Sequence, residues 1–133
     1  MRRKKGLLLL IIASGIISAA DNWIASLLLP SIADTFGVQV SAASTVLTAY
    51  LIPYGLLQPV YGHLSDRYGR GKILFLLMLF LAIFTLLCST AKRLVWLVLF
   101  RFCTGCAAAG IIAVCLGVIG DTYDEKDRQK IVA

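Results

Sequence analysis

Histidine occurs once in 133 residues, at His63, and only seven acids stand against thirteen lysines and arginines. So little acid–base material leaves no nucleophile–base pair, and no glycine-rich phosphate loop is present, so enzyme chemistry is not expected. The four cysteines, Cys88, Cys103, Cys106 and Cys115, all fall in apolar stretches. Cys103 and Cys106 have the C-x-x-C spacing of redox and zinc sites, but no second pair and no nearby histidine accompany them. Small, polarizable packing residues are the expected role, and neither a metal nor a cofactor is anticipated. The net charge of +6 is not organised as a basic stripe with interleaved aromatics, so nucleic acid is not an expected partner. Basic residues in loops that stay on one side of a membrane account for it.

Apolar residues are abundant. They make up 59% of the chain, against about 45–50% in soluble domains, and the mean hydropathy is +0.87. Apolar runs of roughly 20 residues, the length that crosses a bilayer, recur along the sequence. The chain is therefore expected to be an all-α, integral, multi-pass membrane protein with lipid as its main surroundings. Its beginning resembles a signal peptide: Arg2-Arg3-Lys4-Lys5 precedes Leu7 to Ile12, and Ser18-Ala19-Ala20 has the look of a cleavage site. Apolarity continues past that site through Trp23 to Leu29, which favours an uncleaved first helix.

Four transmembrane helices are predicted, at about 6–29, 44–61, 73–91 and 94–119. Pro30 ends the first, and an external loop follows to about Ala43, where Ser41 is a candidate N-cap. The second carries Pro53 and Pro59, which neighbouring helices can accommodate within a membrane. The third is apolar on every side and suits a lipid-facing position. The fourth carries a small-residue stripe, Gly105, Cys106, Ala109, Gly110, Ala113 and Gly117, of the kind that lets helix backbones approach closely. A tail of mixed charge follows, and Ile131-Val132-Ala133 reads as the start of a further apolar stretch. Lysine and arginine crowd one side: Arg2 to Lys5, then Arg67, Arg70 and Lys72, then Lys126, Arg128 and Lys130. The other side has Lys92 and Arg93. Both ends of the chain are therefore expected in the cytoplasm.

Two ionisable residues, Asp21 and Arg101, lie inside predicted spans. Such residues cost about 2.5–3.5 kcal/mol at the centre of a bilayer on insertion scales and are functional candidates by default. Asp21 is about eight residues, roughly 12 Å, below the outer end of its helix, and Arg101 about seven residues, roughly 10 Å, below the outer end of its own. Tyr50 reaches the same layer. Asp21, Asn22, Tyr50 and Arg101 are thus expected to line one polar cavity. The competing expectation is that Arg101 snorkels outward and Asp21 is a satisfied structural acid.

Between the second and third spans runs Gly62-His63-Leu64-Ser65-Asp66-Arg67-Tyr68-Gly69-Arg70-Gly71-Lys72, a short polar turn joining antiparallel neighbours. Gly62 and Gly69 are expected to allow close approach and positive φ. Arg70 is expected to pair with Asp121 at the inner end of the fourth helix. Asp66 would join them or face a positive helix N-terminus. The alternative is a set of solvated charges worth about 0–1 kcal/mol. The pattern G-x-L-x-D-R-x-G-R-x-K resembles the loop between helices 2 and 3 of the major facilitator superfamily of secondary transporters. Arg101-Phe102-Cys103-Thr104-Gly105 is similar to the R-x-x-x-G of helix 4 in its proton-driven antiporters, and Asp21-Asn22 with Leu29-Pro30 resembles helix 1 of the drug–proton antiporters.

The resemblance implies the first four helices of an N-terminal six-helix half, incomplete at the C-terminus. The rest of the transporter, a small-molecule substrate and protons would be its partners, and the plasma membrane its location. It implies that Asp66, Arg67, Arg70 and Asp121, with Gly62 and Gly69, form a conformational latch, and that Arg101 takes part in proton coupling. The leading expectation is proton-coupled export of small amphipathic or drug-like molecules. A facilitator-type uptake carrier, a complete four-helix transporter that dimerises, and a non-transporting membrane subunit are the alternatives.

Overall fold

The computed structural model describes residues 2–122. The charged tail with Lys126, Arg128 and Lys130, and the closing Ile131-Val132-Ala133, lie outside the described residues, as do the side chains of Arg2 to Lys5. All regular elements among the described residues are helices: α1 (Arg2–Leu27), α2 (Leu29–Phe36), α3 (Val40–Ala43), α4 (Thr45–Tyr68), α5 (Arg70–Ser89) and α6 (Leu94–Thr122). Three stretches, Val40–Tyr68, Arg70–Ser89 and Leu94–Asp121, are long and apolar enough to cross a membrane. The bent pair Ile11–Leu27 and Leu29–Phe36 makes a fourth if it counts as one span.

The external loop expected after Pro30 is largely helical. Proline lacks the N–H that would continue the ladder, and its ring crowds the preceding turn, so α1 cannot run on straight. The same residue is well suited to the first turn of a new helix. It occupies that position in α2, which leaves α1 at an angle of 55°. Gly37, at φ 63°, closes α2. Its N–H donates to the Asp34 carbonyl, and the Val38 N–H reaches back to that of Ala33, the paired closure of a Schellman motif. Ser41 does not cap the next helix; it lies inside α3, whose N-cap is Gln39 in an extended conformation.

The turn expected over residues 62–72 narrows to one residue. Helix α4 continues through Tyr68, and α5 begins at Arg70. Asp66 and Arg67 bring charge into this stretch, but solvated charge does not break a helix. The break comes at Gly69, whose φ of 93° and ψ of 121° take it out of the helical region. Gly62 has no such conformation. It sits within α4, and a Cβ there would meet open space.

Helix α6 is the centre of the bundle, packed along α4 and α5 and touching α1. Thr104, Ala107, Ala108, Ala109, Ile111 and Val114 are fully buried on it. Only Leu77 and Leu81 of α5 are buried, while Phe75, Leu76 and Leu86 face outward, as the evenly apolar composition of that helix led one to expect. Between helices in lipid, close packing rather than water exclusion drives association. Two glycines supply it. A Cβ on Gly105 would strike the Tyr50 carbonyl oxygen and stand 2.9 Å from Pro53 Cγ; one on Gly110 would stand 2.9 Å from Tyr61 Cγ and collide with Leu77. The bundle thus has two ends, one at Gly69 and one at the Thr90–Arg93 turn between α5 and α6.

Candidate functional site

Asp21 on α1 and Arg101 on α6 form an ion pair, with Arg101 Nη1 2.8 Å from Asp21 Oδ2. The same nitrogen donates to the Asp21 backbone carbonyl at 3.3 Å. Thr85 Oγ1 on α5 donates to the other carboxylate oxygen at 3.4 Å. One acid therefore ties three helices together. The side chains of Arg101 and Asp21 are 11% and 10% exposed, so Arg101 does not snorkel away. Its Nε is buried and has no hydrogen-bond partner.

The four residues expected around one cavity divide into two pairs. Tyr50 and Asn22 line a cavity of about 160 Å³ with Ser18, Trp23 and Tyr54, and neither Asp21 nor Arg101 is in its wall. The Tyr50 hydroxyl donates to the Ser18 carbonyl at 3.3 Å, and its ring stacks on Tyr54 with centroids 5.8 Å apart. Residue depth along a helix is legible from spacing, but the direction each side chain takes around the axis separates these two pairs. The sequence alone does not assign Thr85 or Ser18 to a polar site. A hydroxyl in the otherwise apolar run of α5 was the available signal for Thr85.

At the Gly69 end, Arg70 bridges two acids. Its Nε and Nη2 donate to Asp66 Oδ1 at 3.1 and 2.7 Å. Its Nη1 lies 2.8 Å from Asp121 Oδ2; that contact is an ion pair by distance but lacks hydrogen-bond alignment. Both carboxylates are exposed, at 58% and 68%, so each pair contributes little alone, about 0–1 kcal/mol. The cluster surrounds an open cavity of about 390 Å³ lined also by Ser65, Gly69 and Val118. Arg67 is not part of it. Its guanidinium lies 5.6 Å from the ring centroid of the adjacent Tyr68. Gly117 meets Arg70 rather than another helix backbone.

The sequence profile of the Major Facilitator Superfamily matches residues 11–133. Over 131 residues the chain is 26% identical to a riboflavin transporter, RibZ, of Clostridioides difficile, covering 98% of this chain and 29% of that protein. It is 29% identical over 116 residues to multidrug resistance protein 3 of Bacillus subtilis, covering 87% of this chain and 22% of that protein. It is 30% identical over 112 residues to the efflux pump dotC of Dothistroma septosporum, covering 84% and 19%. The chain spans less than a third of the length of each of these relatives.

Proposed function

Because the chain belongs to the major facilitator superfamily, whose members matched here are transporters and not enzymes, we propose that it supplies the first four helices of a proton-coupled exporter of small amphipathic molecules. The observation that carries this reading is the buried pair Asp21–Arg101. A buried ion pair is no reliable source of stability, since desolvation offsets much of the attraction. Ionisable groups at membrane depth are most often kept for transport.

Arginine holds its charge at all relevant pH values. Asp21 alone can change charge in the pair. A proton on Asp21 releases Arg101, and a substrate cation competing for the carboxylate displaces the proton. Each event changes the tie between α1, α5 and α6, so binding and helix arrangement become linked without covalent chemistry. The Asp66–Arg70–Asp121 cluster would act as a latch on the cytoplasmic side, with the Lys92 turn outside and the plasma membrane as host. The efflux pump and multidrug relatives favour export. The riboflavin transporter, matched over 98% of this chain, supports a carrier of another small solute as the second reading.

Proteoliposomes test the proposal. The complete transporter carrying this sequence should move protons when an amphipathic cation is added, and the 133-residue chain alone should not. Proton movement at the rate of empty liposomes with every substrate tried contradicts coupling. Robust substrate-dependent flux from the chain alone contradicts its role as a part and favours a four-helix dimer.

A further inference from the structure

A cavity of about 380 Å³ opens between α2 and the ends of α5 and α6, many times the ~30 Å³ that one water occupies in the liquid. Ser31 and Thr35 of α2, Thr85, Cys88 and Ser89 of α5, and Arg101 of α6 contribute its polar lining. We propose that this cavity is a water-filled vestibule leading from the Lys92 end of the bundle to the Asp21–Arg101 pair.

The hydroxyls are arranged to receive water. Thr35 donates to the Ser31 carbonyl at 2.7 Å, Ser89 to the Leu86 carbonyl at 2.6 Å, and Thr85 to Asp21. Their hydrogens are engaged, so their oxygens remain as acceptors along the wall. Arg101, the lining residue deepest along α6, is the opposite kind of group, since arginine nitrogens only donate. Water serves both, giving a hydrogen to the hydroxyls and a lone pair to the guanidinium. A lipid chain satisfies neither, and polar groups left unpaired in hydrocarbon are disfavoured. Thr85 completes the route, because it lines the cavity and also donates to the Asp21 carboxylate. The 55° bend at Leu28 sets α2 across the top, so Pro30 shapes the opening. The vestibule's purpose rests on the coupling role proposed for Asp21; its hydration does not.

Cys88 is a native reporter in this wall, whereas Cys115 is buried, in contact with the Ser14 hydroxyl, and Cys103 and Cys106 lie outside the cavity. The experiment is to treat membranes containing the chain with a small, charged, membrane-impermeant methanethiosulfonate and to map modification by mass spectrometry. Cys88 is expected to react from the Lys92 side, while Cys103, Cys106 and Cys115 do not. Thr35→Trp, which fills the cavity, should slow Cys88 several-fold while leaving an exposed reference cysteine, Lys92→Cys, at its original rate. The proposal is overturned if Cys88 stays unmodified under conditions that modify Lys92→Cys, or reacts only with a lipid-soluble maleimide. It is equally overturned if Thr35→Trp leaves the Cys88 rate unchanged. This readout is independent of transport, so a dry cavity in a proton-coupled transporter removes the route alone, and a wet cavity in an uncoupled one removes the coupling alone.

Discussion

The guanidinium of Arg70 lies on the bare Cα of Gly117: a Cβ at that position would stand 2.9 Å from both Cζ and Nη1 of the arginine. Gly117 is one turn before Asp121 on α6, so the missing side chain is what lets Arg70 lie down along the helix and reach the acid. Gly117→Ala should push the flexible arginine aside and leave the helices where they are. Double-mutant cycles on thermal stability check this. The Arg70–Asp121 coupling, about 0–1 kcal/mol for so exposed a pair, should vanish in the Gly117→Ala background, while the Arg70–Asp66 coupling persists.

Gly105 behaves differently, because its neighbour is backbone. Gly105→Ala sets a Cβ against the Tyr50 carbonyl and Pro53, and neither can swing away. Overpacking of this kind costs about 1–3 kcal/mol. The melting temperature in detergent should fall clearly for Gly105→Ala and hardly at all for Gly55→Ala, where a Cβ meets open space.

The two glycines of the signature sequence should separate in the same assay. Gly69→Ala forces a side chain onto a backbone at φ 93°, a strain of about 1–3 kcal/mol. Gly62→Ala, inside α4 and uncrowded, should be tolerated. Equal effects of the two substitutions would mean that the α4–α5 junction is not the single-residue break at Gly69.

Which parts were legible in the sequence follows from what each signal encodes. Asp21, Arg101, Arg70 and Asp121 stood out because a charge within or beside an apolar run has few explanations. The small-residue stripe of α6 was equally visible, but letters alone do not say that Gly105 meets a carbonyl and Gly117 a guanidinium. Gly62 and Gly69 read alike, and only the backbone tells them apart. Pro30 was read as a stop, although proline ends one helix and begins another with the same chemistry. That is why α2, and the cavity beneath it, were not foreseen. Depth counting put Tyr50 and Asn22 in the layer of Asp21 without the azimuth that sends them to a separate cavity.

The buried pair makes a further prediction about stability. Arg101→Leu leaves the Asp21 carboxylate buried without its partner, and breaking a buried pair from one side costs about 3–5 kcal/mol. The combined Asp21→Asn, Arg101→Leu protein should melt above Arg101→Leu alone. If the double substitution is the less stable of the two, the pair is not the electrostatic unit its geometry indicates.

The most direct measurement is substrate-driven proton movement in proteoliposomes holding the complete transporter with Asp21→Asn. Asparagine keeps the size of the acid and one acceptor oxygen but cannot carry charge or exchange a proton. Proton-linked export should be abolished with the protein still inserted and folded, and Arg101→Lys, which keeps the charge, should retain part of the activity that Arg101→Ala loses. Export by Asp21→Asn at the original rate and with the original pH dependence would contradict the account and assign the coupling to another carboxylate.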